Sequence, residues 1–189
     1  MSGIPRLRPA TYEDLVSLPD DVVGQILDGE LFATPRPAFD HQRVATVLGS
    51  DLTAPFDLGR GGPGGWWFLA EPELHLGEHV VVPDIAGWRR ERMPVPPRAP
   101  FSTLSPDWVC EVLSPSTAGT DRIRKLRIYA EQGVGHAWLV DPVLETLEVF
   151  RQRDNGWFLV LAAGGDEVVR AEPFEAIEIE LKDLWIRPG

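Results

Sequence analysis

The chain predicts a mixed α/β fold built around one sheet. Three observations carry that expectation: apolar segments of strand length recur from Gln25 to Leu161, two stretches with helical spacing interrupt them, and the second lies between strands as a crossover does. No internal repeat is present. At 189 residues the length suits one domain spanning 1–189, with enough chain to bury a substantial core.

The elements follow in order. Thr11-Tyr-Glu-Asp14 ahead of Leu15 is a capping-box pattern, so a short helix starts there and stops at Pro19. Asp28-Gly29 sits between apolar positions in Gln25–Thr34 and signals a hairpin turn. Val44, Val47, Leu48 and Leu52 keep helical spacing, which makes Ala38–Phe56 one long amphipathic helix. The loop Gly59–Gly65 follows; it lacks the Gly-Lys-Ser/Thr ending of a phosphate loop.

Trp66–Ala70, Glu73–Leu76 and Val80–Trp88 then form strands, and five prolines between Met93 and Pro106 impose an extended excursion. Trp108–Leu113 is apolar on both faces except at Glu111, the pattern of a central strand. A helix spans about Gly119 to Gln132 with Gly133 as its stop. Ala137–Val140, Thr146–Arg151 and Trp157–Leu161 complete the strands, with Asp154-Asn-Gly156 as a tight turn between the last two.

No run approaches the ~18–20 apolar residues of a membrane span, and the N-terminus MSGIPRLRPATYEDL has no apolar core of a secretory signal. The expected setting is the cytoplasm, without a membrane partner. A lone cysteine, Cys110, rules out an internal disulfide and a multi-cysteine metal site. The net charge of −11 argues against a protein that coats nucleic acid. Its distribution is uneven, however. From Arg89 to Arg127 there are eight basic residues (Arg89, Arg90, Arg92, Arg98, Arg122, Arg124, Lys125, Arg127) against four acidic ones, so this stretch is +4 and the remainder −15. A local basic patch fits those numbers, and so do ordinary solvated arginines.

The chemistry concentrates in three segments, VVVPDIAGW, WVCEVLSPS and DRIRKLRIY. On strands, Val80, Val82 and Asp84 share one face, as do Val109, Glu111 and Leu113. A carboxylate among apolar neighbours is costly unless something compensates it, and Mg²⁺, commonly held by one or two carboxylates plus water and phosphate oxygens, is such a compensator. Pro83 suits a strand end or bulge that aims Asp84. On the second helix Ile123, Leu126 and Ala130 form a packing stripe, while Arg122, Lys125, Tyr129 and Gln132 form another able to face the site. Two strand carboxylates and an amine are the minimum equipment for metal-assisted phosphodiester cleavage, with Mg²⁺ expected and Mn²⁺ able to replace it. The bland alternative pairs Asp84 and Glu111 with Arg122 or Arg124.

Rival motifs are weaker. His75-Leu-Gly-Glu-His79 matches the string H-x-x-E-H, but that motif needs a helix and Gly77 reads as a hairpin turn. A two-carboxylate glycosidase with Trp66 and Trp67 as a sugar platform leaves the basic stretch without a purpose. Ser114-Pro-Ser116 lacks the glycines of a nucleophile elbow.

Pro83-Asp84, Glu111-Val-Leu-Ser-Pro-Ser116 and Lys125 together resemble the PD-(D/E)XK nuclease superfamily, in particular its Uma-two branch of restriction-endonuclease-like proteins. The resemblance extends over nearly the whole chain, taking in Asp28-Gly-Glu-Leu31, His41 and Trp138-Leu-Val-Asp-Pro142. It implies a restriction-endonuclease-like central mixed sheet flanked by helices, Asp84 and Glu111 as metal ligands, and Lys125 as catalytic lysine. Glu30 and His41 are implied as accessory residues. One departure stands out: the superfamily lysine lies two residues after the second carboxylate, where this chain has Leu113, and Lys125 on the helix takes its place. The implied activity is DNA cleavage by a homodimer, with Arg89, Arg90, Arg92 and Arg122 as candidate nucleic-acid contacts. The competing class is a nuclease-fold binding or regulatory module that no longer cuts.

Overall fold

A computed structural model describes residues 8–154 and 156–187. Residues 1–7, the start of the segment read for a secretory signal, and Asn155 of the expected turn fall outside that set. Thr11 caps helix α1 (Tyr12–Val16) with the reciprocal Asp14 bond of a capping box. Strands β1 (Val22–Leu27) and β2 (Glu30–Pro35) form the expected hairpin, and Asp28 and Gly29 both take positive φ, 53° and 72°, as a two-residue turn of this hand requires. Helix α2 (Phe39–Leu52) continues into a π-helical turn at Thr53–Asp57.

Strands β3 (Trp66–Ala70), β4 (Glu73–Leu76), β5 (His79–Val81) and β6 (Ile85–Arg89) come next, then β7 (Phe101–Ser102) inside the proline-rich excursion and β8 (Trp108–Val112). The second helical stretch is composite: α3 (Ala118–Thr120), a π-helical turn Asp121–Lys125, and α4 (Leu126–Glu131), ended by Gly133 at φ 75°. Strands β9 (His136–Asp141), β10 (Thr146–Arg153) and β11 (Gly156–Gly164) precede a small hairpin, β12 (Val168–Val169) with β13 (Ile179–Glu180), and a 3₁₀ turn Leu181–Leu184.

The mixed α/β class is as expected, but the strands divide between two main sheets rather than one. One has the order β2-β1-β5-β4-β7 and the other β11-β10-β9-β8-β6-β3, with β8 and β9 parallel and its other pairs antiparallel. The expected strand Val80–Trp88 is therefore two strands. Val80 pairs with Ile26 in the first sheet, Ile85 pairs with Cys110 in the second, and Val82-Pro83-Asp84 crosses between them. Proline at the crossing lacks the N–H a ladder would use, so the break falls where pairing is already interrupted.

β8 is buried at every position. Trp108, Cys110 and Val112 enter one apolar cluster with α2, and Val109 and Leu113 enter another with α4. Phe174, from the chain after β12, lies among the rings of Phe56, Trp66, Phe68, Trp108 and Trp138 at centroid distances of 4.8–5.6 Å. Trp66 is thus a core residue and not a sugar platform. Cys110 is fully buried, consistent with a packing role. Among the described residues no helix is long and apolar enough to cross a membrane.

Candidate functional site

The crossing places Asp84 beside the end of the β6–β8 ladder, where its side chain takes over from backbone. Asp84 Oδ2 accepts the Val112 N–H at 2.6 Å, one residue beyond Glu111. The crossing itself is held by Gln25, whose Oε1 accepts the Val82 N–H at 2.9 Å. Glu111 projects from β8 to the same side as Val109 and Leu113, towards the composite helix.

That helix presents Lys125 and Tyr129 to Glu111. Lys125 Nζ donates to Glu111 Oε2 at 2.7 Å and to the Val82 carbonyl at 3.1 Å, and the Tyr129 hydroxyl donates to Glu111 Oε1 at 2.5 Å. Asp121, one turn earlier, lies 3.5 Å from Lys125 Nζ. Across the pocket, His41 Nε2 approaches Asp84 Oδ1 at 3.2 Å. Asp84, Glu111, Asp121, Lys125 and His41 all line one pocket of about 250 Å³. Of the three carboxylates around Lys125, Asp84 is the most open, with 17% of the side chain exposed against 3% for Glu111 and 6% for Asp121; a fourth pocket carboxylate, Glu71, is exposed.

Three carboxylates converge on one ammonium, and the electrostatics follow. Burial pushes Glu111 up to about 8; Lys125 opposes this, while Asp121 and Asp84 add to it. Burial would also lower Lys125, but Glu111, Asp121 and Asp84 outweigh that and hold it firmly charged. Burial likewise raises Asp121. At His41, burial acts downward and is outweighed by the bond to Asp84 and the nearby carboxylates, so its net shift is upward.

These shifts set a pH dependence. Glu111 binds its proton more tightly folded than unfolded, so its contribution to stability is present below the ~4.3 of a free glutamate and is lost as pH rises through about 8. His41, also raised, acts in the same direction. The melting temperature of the metal-free protein is expected to fall from about pH 5 to about pH 8, and Glu111→Gln to flatten that slope. A native profile that rises over this window would contradict the assignment.

Of the residues singled out from sequence, Asp84, Glu111, Lys125 and His41 are brought together. Asp84 is displaced from the expected strand into the crossing, which is why it no longer shares a face with Val80 and Val82. Glu30 is instead exposed and bound to Arg124 at 2.7 Å. Arg89, Arg90 and Arg92 lie at the far end of β6, roughly 16 Å of extended chain from Asp84. Arg89 covers Trp66, Arg90 covers Trp67 and pairs with Asp57, and Arg92 pairs with Asp107. Arg122 pairs with Glu148. Pairing of Asp84 and Glu111 with Arg122 or Arg124 is therefore not what forms.

The expected packing residue Ile123 is 73% exposed, because the π-helical turn shifts the helix phase. Asp121 was missed, although its spacing of four and eight residues before Lys125 and Tyr129 is a legible signal. Gln25 and Arg36, also at the pocket, carried no such signal. His75 and His79 lie on opposite arms of the β4–β5 hairpin; His75 contacts Glu73 at 2.7 Å and His79 accepts the Asp28 N–H at 3.2 Å. Among the described residues no group of three or more His, Cys, Asp or Glu side chains is arranged to hold a metal ion. Asp84 and Glu111 nonetheless offer hard oxygen donors with an excess of negative charge, the chemistry that suits Mg²⁺ with water and phosphate completing its shell.

A family model described as "Uma2: Putative restriction endonuclease" matches residues 9–182. Among solved structures, a protein from Anabaena variabilis ATCC 29413, described as a "putative nuclease belonging to DUF820", is similar in fold, with a TM-score of 0.75 and 23% identity over 93% of this chain and 97% of that one. No curated protein matches the chain.

Proposed function

The chain belongs to the Uma2 family, and on that premise we propose that its pocket hydrolyses phosphodiester bonds in DNA with the help of a divalent cation. The supporting observation is the convergence of Asp84, Glu111 and Lys125, from a crossing, a strand and a helix, on one pocket. Asp84 and Glu111 would hold Mg²⁺ or Mn²⁺. When bound, the cation supplies charge neutralisation at the phosphate and acidity to water.

The chain's own residues do the rest. Lys125 donates to the phosphate oxygen on which charge develops, a role that a compact ammonium fits. His41 orients the Asp84 carboxylate and Tyr129 that of Glu111, as outer partners of metal-binding side chains do. A two-fold homodimer would suit the cutting of both strands where the substrate is a duplex. A cytoplasmic setting agrees with a single, buried cysteine.

The test is cleavage of plasmid DNA. Native protein should nick or cut it with Mg²⁺ or Mn²⁺, and Asp84→Asn should lower the rate by about a hundredfold or more. Should native protein cut nothing with any divalent cation, the non-cutting binding module replaces the nuclease. Metal binding has a separate readout: Mg²⁺ or Mn²⁺ should raise the melting temperature of native protein more than that of Asp84→Ala. Equal shifts would remove Asp84 from the metal site.

A further inference from the structure

The arginines read as nucleic-acid contacts are occupied elsewhere, which leaves open what grips a polyanion at an acidic pocket. Arg36 lies on the connection between β2 and α2 and lines the pocket alongside Asp84 and Lys125. It is exposed, and its guanidinium makes one long hydrogen bond, Nη2 to the Asp20 carbonyl at 3.4 Å. It has no carboxylate partner among the described residues, whereas Arg90, Arg92, Arg122, Arg124 and Arg127 all do. A guanidinium left unpaired beside carboxylates is free to meet an incoming anion.

Local sequence restrains the backbone at this arginine. Pro35 fixes the backbone before it, and Pro37 restricts Arg36 itself to extended conformations. Two residues after Pro37, Phe39 opens α2 and is 85% exposed, the highest value among the large apolar side chains described. Its ring stacks on no other aromatic ring among the described residues. One helical turn holds both Phe39 and the pocket residue His41.

Resting on the nuclease reading, we infer that Pro35–Phe39 is the arm that holds the substrate strand. Arg36 pairs with the phosphate next to the one being cut, and Phe39 stacks on an unpaired base of the same strand. An aromatic face is sequence-tolerant towards bases but needs them unstacked from their own helix. The preferred substrate is therefore a strand with unpaired bases at the cutting point, such as a single strand, a flap or a frayed end, over a continuous duplex.

The experiment measures binding of a labelled oligonucleotide by anisotropy, with Ca²⁺ in place of Mg²⁺ so that the strand stays uncut. Native protein is compared with Arg36→Ala, Phe39→Ala and the surface control Arg153→Ala, each checked for an unchanged melting temperature. Arg36→Ala should weaken binding and reduce the salt slope by the equivalent of about one phosphate contact. Phe39→Ala should weaken binding of a strand with unpaired bases by about five- to a hundredfold and of a blunt duplex by less. Arg153→Ala should bind as native protein does. If native protein binds but Arg36→Ala keeps its affinity and slope, or Phe39→Ala loses equally on both substrates or on neither, the arm is not the contact and the nuclease reading stands. If native protein binds no nucleic acid at all, both readings fall together.

Discussion

Lys125→Met is expected to lower the rate of DNA cleavage by about two to three orders of magnitude, the loss typical of removing one donor aimed at developing charge. The same change should cost about 3–5 kcal/mol of stability, because Glu111 and Asp121 then lie buried without their cation. For a chain of this size that corresponds to a fall in melting temperature of roughly 6–20 °C. The two effects separate in a double variant. Adding Glu111→Gln removes the carboxyl group that without Lys125 must bind a proton to stay buried, while leaving a side chain that still meets Tyr129, so Glu111→Gln with Lys125→Met should be more stable than Lys125→Met alone. Cleavage should stay lost in both. A Lys125→Met protein that cuts at the native rate removes the lysine from catalysis.

Phe174→Ala is expected to cost about 3–5 kcal/mol, the range for truncating a fully buried phenylalanine, and to leave metal binding intact at low temperature. The ring is fully buried at the centre of five other aromatic side chains, so the hole cannot close by a small shift of one neighbour. The cluster lies on the face of β8 opposite to the one Glu111 occupies. Urea denaturation measures the cost directly. A loss below about 1 kcal/mol would mean that the segment after β12 does not anchor the core.

Local chemistry was the readable part of this chain. Asp28-Gly29 makes its turn because both positions accept positive φ, and Gly133 stops its helix for the same reason. Glu111 was visible as one charge in an otherwise apolar strand, and Lys125 as a cation on a stripe with Tyr129. What stayed hidden depends on distance in sequence or on backbone irregularity. In VVVPDIAGW, Pro83 marks a strand end or bulge, but nothing local says that Val80 and Ile85 belong to different sheets. The π-helical turn at Asp121–Lys125 broke the 3.6 spacing that assigned Ile123 to the core. Arg124 and Arg127 found their acids in the Asp28–Glu30 region, about a hundred residues earlier, and no local pattern reveals such a pairing.

Chain length cannot change freely between Val81 and Ile85. The three residues of the crossing have both ends fixed by pairing, Val80 to Ile26 and Ile85 to Cys110. Inserting or deleting one residue there would turn every following side chain of β6 to the opposite face or carry Asp84 away from the Val112 N–H. Insertions are absorbed instead at Gly59–Gly65 and within Pro94–Pro100, where the chain returns without a register to keep. Natural variants of this protein should accordingly differ in size at those two loops while keeping an invariant spacing from Val80 through Ile85, and a library of random single-residue insertions, selected for folded protein, should be depleted at positions 82–84.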